Sequence, residues 1–198
     1  MGHRLPRNGS SRLVLTLEVT VRHSHLLLAV VLAALASGPA VASAQSSGAP
    51  QTPPCSAAEH RQFDFWIGDW NVTTPDGTAA GRNSISRILN GCVLLEEWTG
   101  AGGGSGKSFN LYNARKQQWH QTWVDGNGGI LEIDGALNGN GEMVLSGEQP
   151  LRQGDGVARN RITWTPRSPD EVRQHWEVST DGGATWRTVF DGTYRRVK

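Results

Sequence analysis

The sequence predicts an all-β protein, an antiparallel meander of about ten strands that closes into a β-barrel. From Phe63 onward, short runs rich in Val, Ile, Thr, Trp and Tyr are interrupted by Gly, Asn, Asp and Pro roughly every ten residues. The interruptions are turn-forming, as in "TPDG" over 74–77, "DGNGG" over 125–129 and "NGNG" over 138–141. Because a meander of this length would leave long exposed edges, we expect the sheet to close on itself.

Residues 1–44 have the pattern of a secretory signal peptide, with arginines ahead of the apolar run "LLLAVVLAALA" and small residues at Ala42 and Ala44. We expect cleavage after Ala44 and an exported protein, either secreted or periplasmic. The apolar run is shorter than the roughly 20 residues that cross a bilayer, so no stable membrane insertion is expected. Residues 45–55, most of them within "QSSGAPQTPP", are predicted to be a disordered linker.

Charge and cysteine content narrow the class of function. The formal net charge of the 198 residues is +1, which argues against the basic surface that nucleic-acid binding requires. Residues 56–198 have the size of one domain. Cys55 and Cys92 are both in the exported part, where oxidising conditions favour a disulfide, and two separate buried thiols are the alternative. Neither CxxC nor HxxxH spacing occurs in the sequence, so no metal site is predicted.

The predicted elements begin with one short helix in "SAAEHRQF", where Ser56 and Glu59 have the spacing of a capping box. Ten strands follow, predicted over residues 67–74, 81–89, 93–99, 107–113, 117–125, 129–137, 142–148, 158–166, 171–179 and 186–196. Side chains alternate between the faces of a strand, so several strands carry one aromatic face and one face of His, Arg, Thr and Glu. Tryptophans inside would predict a packed core, and polar groups inside would predict a ligand cavity.

Two motifs carry a resemblance to a known family. "FDFWIGDW" over 63–70 and "STDGGATWRTVFDGTYRR" over 179–196 resemble the secreted bacterial family called domain of unknown function 1579, in the calycin superfamily. The resemblance implies a barrel whose floor is sealed from the N-terminal side, with a glycine that lets the first strand bend and a tryptophan under an arginine of the last strand. The residues that match these roles are Trp66, Gly68, Trp70 and either Arg195 or Arg196. The aromatic side chains of the first motif are therefore expected to plug the barrel rather than to contact a ligand.

The second motif begins with "STDGGATW", which matches the S-x-D-x-G-x-T-W pattern known as an Asp-box. In this pattern the serine and aspartate side chains bind backbone amides of a hairpin turn, and the tryptophan packs beneath it. Propellers repeat the motif in every blade, whereas this chain has one copy and is too short for four blades. We therefore expect a structural turn built by Ser179, Asp181, Gly183 and Trp186.

The expected function is to bind a small apolar or amphipathic molecule inside the barrel, oriented by a few polar side chains. The candidates for this role are His120, Thr122, Arg161, His175 and Glu97. Glu96 and Glu97 are adjacent, so they point to opposite faces of their strand. The one that faces inward would be a buried acid in need of a partner, for which Arg87, Arg161 and His120 are the candidates.

The same predicted barrel is compatible with two other functions. One is an enzyme that uses a histidine and a glutamate inside the barrel, and another is an envelope interaction module with a solid core. The resemblance also reaches nitrobindins, which hold haem through a histidine near the C-terminal end. No histidine follows Trp186, so that ligand does not transfer; no cofactor is expected, and haem is kept as an alternative. The oligomeric state is left open.

Overall fold

The computed structural model describes residues 52–151 and 154–198, which lie in the compact unit Gly48–Lys198. The predicted signal peptide, and the predicted linker except for its last residues, lie outside the described residues. The described residues form ten strands: β1 Gly68–Thr73, β2 Ala79–Ile88, β3 Val93–Gly100, β4 Ser105–Asn113, β5 Gln118–Asp125, β6 Ile130–Leu137, β7 Met143–Pro150, β8 Val157–Ser168, β9 Glu171–Ser179 and β10 Arg187–Arg196. Every strand lies within two residues of its predicted bounds at both ends.

The strands form one closed antiparallel barrel. Each strand pairs with its neighbours in sequence, and β1 also pairs with β10, with Trp70 opposite Arg196 and Val72 opposite Tyr194. The predicted fold class, a closed antiparallel meander of ten strands, is therefore confirmed. Closure gives every strand two hydrogen-bonded neighbours, so no edge is left open to pair with another chain.

A short helical segment precedes the barrel, as predicted, and consists of two 3₁₀ turns, Ala58–Arg61 and Asp64–Trp66. The capping box expected at Ser56 is absent: Ala57 is the N-cap residue, and no side chain caps the first turn. Two single turns of this kind gain little from a cap, because their position is set by what they pack against. In the described residues no helix is both long and apolar enough to cross a membrane.

The two ends of the barrel differ. Odd-numbered strands begin, and even-numbered strands end, at the end where the helical segment enters, which we call the floor. At the floor Phe63 stacks on Trp66, with ring centroids 5.0 Å apart, and meets Trp119 and Trp164 edge-on at 5.5 and 5.1 Å. All four of these side chains are at most 2% exposed. The loops after β3, β5, β7 and β9 surround the opposite end, which we call the mouth.

The helical segment is tied to the barrel by covalent and polar contacts. A disulfide joins Cys55 to Cys92, just before β3, as the sequence predicts. The guanidinium of Arg61 donates hydrogen bonds to the carbonyl oxygens of Cys55, at 2.9 Å, and Gly91, at 2.6 Å. These contacts hold the aromatic plug against the floor at its own N-terminal side.

The floor tryptophan also has the expected cation, although it is not Arg195. The guanidinium carbon of Arg196 lies 4.2 Å from the ring centroid of Trp70, and its Nη1 donates to the carbonyl oxygen of Ile67 at 2.9 Å. Gly68 adopts φ +138°, and a Cβ at this position would stand 2.0 Å from that Nη1. Of the two arginines that the sequence offered for this role, strand parity excludes Arg195: it points to the other face, where it lies 3.4 Å from Glu171.

Removing the disulfide tests how far the plug depends on it. The bridge closes a loop with a sequence separation of 37, so the double variant Cys55→Ser, Cys92→Ser should lose about 4 kcal/mol of unfolding free energy. Urea unfolding of the variant and of the oxidised and reduced wild-type protein measures this. A reduced wild-type protein as stable as the oxidised one would show that the bridge adds nothing.

Arg196 and Arg195 form a matched pair for testing the floor. Arg196→Met removes the cation over Trp70, the hydrogen bonds to the carbonyl oxygens of Ile67 and Pro169, and an exposed ion pair with Asp170; it should cost roughly 1–3 kcal/mol in urea unfolding. Arg195→Met removes an exposed ion pair with Glu171 and an exposed hydrogen bond to Thr73, and should cost less than about 1 kcal/mol. Equal losses in the two variants would contradict a special role for Arg196.

Candidate functional site

The barrel interior is not filled between the floor and the mouth. A cavity of about 210 Å³, partly open to solvent, remains between the strands. Its lining is Glu96, Trp98, Gln121, Trp123, Leu131, Ile162, Gln174, Trp176, Val189, Phe190 and Tyr194. An apolar cavity of about 150 Å³ can hold one benzene molecule, so this space fits a molecule somewhat larger than a single ring.

Aromatic side chains form the upper part of the cavity, and glycines make room for two of them. A Cβ on Gly106 would stand 2.2 Å from the Trp123 ring, and one on Gly81 would stand 2.8 Å from the Trp98 ring. The Trp176 indole is fixed in another way, since its Nε1 donates to Asn160 Oδ1 at 3.0 Å. The apolar walls therefore consist of large side chains held by their surroundings, which favours a preformed site.

The lower part of the cavity is polar and contains Glu96. Its carboxyl group is enclosed, and both of its oxygens accept hydrogen bonds: Oε1 from Asn83 Nδ2 at 2.7 Å and Oε2 from Ser108 Oγ at 2.6 Å. Next to it, the hydroxyl of Tyr194 donates to Gln174 Oε1. No lysine, arginine or histidine lines the cavity among the described residues, so Glu96 has no cationic partner there.

The direction of the hydrogen bonds below Glu96 is fixed by a backbone carbonyl. Asn110 Nδ2 donates to the carbonyl oxygen of Leu94 at 3.2 Å, which identifies that atom as the amide nitrogen. The same nitrogen donates to Ser108 Oγ at 2.8 Å, and Asn110 Oδ1 accepts from Gln121 Nε2 at 2.7 Å. Since Ser108 Oγ accepts from Asn110, its own hydrogen is available for Glu96. The network therefore delivers donors to the carboxyl group.

Burial disfavours the negatively charged form of Glu96. Loss of hydration raises the pKa of Glu96 above its ordinary value, and the hydrogen bonds from Ser108 and Asn83 offset only part of that effect. The pKa of Tyr194 is raised too, first by burial and then by the negative charge of Glu96. A carboxyl group with a raised pKa, in a cavity, is a mark of many functional sites.

Several polar atoms of the network are unused. Asn83 Oδ1 is buried and has no hydrogen-bond partner within the described part of the chain. In the same part, neither Gln121 Oε1 nor Gln174 Nε2 makes a hydrogen bond, although both side chains line the cavity. The two glutamine atoms belong to side chains that line the cavity, so they are positions where a bound molecule would gain polar contacts, whereas Asn83 is not part of the lining.

The five residues predicted to orient a ligand lie elsewhere. His120, Thr122, Arg161, His175 and Glu97 are absent from the cavity lining and occupy the outer face of the barrel wall. Their expected role required the polar face of β5, β8 and β9 to be inside, a choice that the alternation left open, and the structure has the aromatic face, with its glutamines, inside. The aromatic face lies inside because burial of each large apolar side chain stabilises the folded state by about 1.5–3 kcal/mol.

On the outer face these residues are partners of their cross-strand neighbours. His120 Nδ1 lies 2.8 Å from Asp134 Oδ1, and its Nε2 lies 2.8 Å from Thr122 Oγ1. Arg161 binds Glu177 Oε2 through two nitrogens, at 3.1 and 3.0 Å. His175 Nε2 lies 2.9 Å from Thr188 Oγ1, and Lys107 Nζ donates to Glu97 Oε1. These are contacts of a solvated sheet surface. None of the five residues lines the cavity inside the barrel, although Glu97 borders a separate depression together with Asp69 and Arg82.

The inward glutamate is Glu96, and its partners are not those expected. The expected partners were Arg87, Arg161 and His120, but neutral donors from β2 and β4 meet the carboxyl group instead. Strand parity carried the signal for its position, because Glu96 shares a face with Leu94 and Trp98. No sequence pattern identified Tyr194 or Gln174 as its neighbours, since they come from β9 and β10 and depend on register.

The turn predicted from the Asp-box has the contacts of that motif. Ser179 Oγ accepts from the Gly183 amide at 2.8 Å, the Thr185 amide donates to the Asp181 carboxylate at 2.9 Å, and Trp186 Nε1 donates to the Gly183 carbonyl at 3.1 Å. Hydrogen bonds to the Asp181 carboxylate, first from the Thr185 hydroxyl and then from the Thr185 amide and the Ser179 hydroxyl, lower the pKa of Asp181 strongly. The Asp181 carboxylate therefore accepts hydrogen bonds from within the turn itself. Across the described residues, no cluster of three or more His, Cys, Asp or Glu side chains could hold a metal ion.

The burial of Glu96 predicts a pH-dependent stability. Because its folded pKa is raised, the stability that its protonation supplies is present below its ordinary pKa of 4.5 and is lost as pH rises through the folded value. Glu96→Gln imitates the protonated group, so its unfolding free energy relative to wild type should increase from about pH 4 upward. Urea unfolding across this range measures the difference.

The neighbouring outward glutamate supplies the control for this experiment. Glu97→Gln changes the same charge on the exposed face and should give a difference from wild type that is small at every pH. A Glu96→Gln difference that stays flat or falls with rising pH would contradict the raised pKa.

Comparison with known proteins adds no functional assignment to this geometry. The sequence matches no protein-family model, and a search of curated proteins finds no significant relative.

Proposed function

We propose that this protein is an exported binding barrel that holds one small amphipathic molecule in the cavity above its floor. The observation that carries the proposal is the cavity itself, with aromatic side chains at its upper end and a polar network around Glu96 at its lower end. Such a lining suits a molecule with an apolar body and one polar group. Burial of the apolar body supplies most of the affinity, at about 25 cal/mol per Å², and the polar network selects the pose.

Export is part of the proposal. The signal-peptide pattern of residues 1–44 supports it, and the disulfide between Cys55 and Cys92 suits an oxidising compartment. We also propose membership of the secreted family that the motifs at 63–70 and 179–196 resemble. The closed barrel, the plugged floor and the arginine over Trp70 support that assignment.

The geometry favours binding over the two alternatives. A catalytic pair of histidine and glutamate inside the barrel needs a histidine that reaches Glu96, and all three described histidines, His60, His120 and His175, are outside the cavity lining. The haem alternative meets the same difficulty, because it also relied on a histidine within reach of the interior. A solid interaction module is disfavoured because the interior contains a cavity larger than one benzene would fill.

Blocking the mouth of the cavity tests the proposal. Val189 lines the cavity and is 37% exposed, so Val189→Trp can fill the opening without disturbing the packed floor. Val157→Trp is the matched control, because Val157 lies at the same end, is 46% exposed and does not line the cavity. Binding of 2-phenylethanol, a neutral single-ring probe, is measured by ligand-observed NMR. We expect a dissociation constant of roughly 1 µM to 1 mM for the wild type and for Val157→Trp, and a loss of tenfold or more for Val189→Trp.

Native mass spectrometry of protein purified from its exported fraction provides the second readout. Wild type and Val157→Trp should carry a bound mass that Val189→Trp lacks. If 2-phenylethanol fails to bind and no mass co-purifies with the wild type, the binding function is wrong.

A further inference from the structure

We infer that the molecule bound in this cavity is a small organic cation, with one ammonium group that pairs with Glu96 and an apolar or aromatic body that lies among the tryptophans. This inference rests on the proposed binding function and specifies the chemical class of its ligand. The cavity lining, the wiring of the hydrogen bonds and the aromatic walls each support it.

The first support is the charge of the lining. Glu96 is the one side chain with an ordinarily ionised group among the eleven that line the cavity, and it lies at the polar end. A carboxylate that is removed from water without a cation is costly, and neutral donors compensate for it only in part. A bound ammonium would supply the missing charge. An anionic ligand would place a second negative charge beside the first, and the lining holds nothing to balance it.

The second support is the direction of the hydrogen bonds around the Glu96 carboxyl group. The carbonyl oxygen of Leu94 fixes the orientation of Asn110, which donates to Ser108, and Ser108 in turn can donate to Glu96 Oε2. An acidic proton on Oε2 would therefore compete with a hydrogen that the network already delivers there. Asn83 donates to the other oxygen. Donors at both oxygens suit the carboxylate form, which is the form that binds a cation.

The third support is the composition of the walls. Trp98, Trp123, Trp176 and Phe190 line the same space as Glu96. Aromatic rings attract organic cations through the negative charge of their faces, and the attraction grows when the pair is removed from water. The unused Oε1 of Gln121 adds one more acceptor for an N–H donor. Acceptors at the base and aromatic rings above them suit an arylalkylamine or a similar compact amine.

Other features of the molecule carry less. The apolar side chains exposed on the outer face, such as Phe109 and Ile130, have nothing beside them that indicates a partner. The hydrogen-bonded set Asp134, His120 and Thr122 has the order of a catalytic triad, but it lies on the outer face, and none of its members lines a described cavity. The cavity around Glu96 is the place where enclosure, charge and aromatic walls coincide.

Three probes that share a phenylethyl group and differ in charge test the inference. Phenethylamine is a cation near neutral pH, 2-phenylethanol is its neutral analogue, and 3-phenylpropionate is an anion with the same ring. Their dissociation constants are measured at about pH 7.5 by calorimetry with the wild type, Glu96→Gln and Glu97→Gln. We expect the wild type to bind the amine at least roughly tenfold more tightly than the alcohol, and to bind the anion most weakly.

The variants separate charge from shape. Glu96→Gln keeps the size of the side chain and should weaken amine binding by tenfold or more, while the affinity for the alcohol changes by less than about threefold. Glu97→Gln should leave all three affinities within about twofold of wild type, because Glu97 is on the outer face. An alcohol or an anion that binds the wild type as tightly as the amine would overturn the inference while the binding function stands. If none of the probes binds and no mass co-purifies, the binding function and the inference fall together.

A measurement on the wild type alone covers the case in which Glu96→Gln does not fold. Protons compete with the ammonium for Glu96, so amine affinity should fall as pH is lowered through the titration of this group, whereas alcohol affinity should not fall. The groups that face Glu96 from the neighbouring strands are Asn83, Ser108, Gln121, Gln174 and Tyr194, and of these only Tyr194 titrates, at high pH. Amine affinity that is independent of pH between about 4 and 8 would contradict the pairing.

Discussion

The constraint on which this barrel depends is the enclosure of one carboxyl group, that of Glu96, in an interior that offers it no cation. The barrel responds with neutral donors from two strands, Asn83 on β2 and Ser108 on β4, and with amides behind them that orient Ser108. These polar side chains take positions that would otherwise be filled by aliphatic ones. They form a belt between the aromatic floor and the open cavity, and so divide one interior into a packed half and a hollow half.

The aromatic side chains of the two halves have different roles because their surroundings differ. At the floor, Phe63, Trp66 and Trp164 pack on one another and are fully enclosed, so their burial contributes to stability. Toward the mouth, Trp98 and Trp123 rest on glycines and face a space that the protein does not fill. The helical segment supplies the plug that allows this division, and the disulfide holds the plug in place. A barrel open at both ends would let water hydrate Glu96 and the polar side chains around it, and the carboxyl group would lose its enclosure.

The strands were predictable from sequence, whereas the contents of the barrel were predictable only in part. Alternation and turn residues fix where strands begin and end, and they fix which residues share a face. They do not state which face is inside when both carry polar groups, as in β5, where His120 and Thr122 oppose Trp119 and Gln121. Large apolar area decides the choice, and the histidines then pair with outer neighbours such as Asp134. Arg196 could be distinguished from Arg195 only once the register of β10 against β1 was known.

A comparison of the adjacent Glu96 and Glu97 shows how an enclosed carboxyl group differs from one on the charged surface. Glu97 has an exposed partner, Lys107, and hydration would replace that partner at little cost. Glu96, one residue earlier, has lost its hydration and has only dipoles around it, so its free energy changes strongly with any charge that enters the cavity. Enclosure thus makes the free energy of the Glu96 side chain sensitive to the charge of any molecule in the cavity. The same enclosure that lowers the stability of the folded protein would, in the binding function that we propose, favour a cation over a neutral molecule of equal shape.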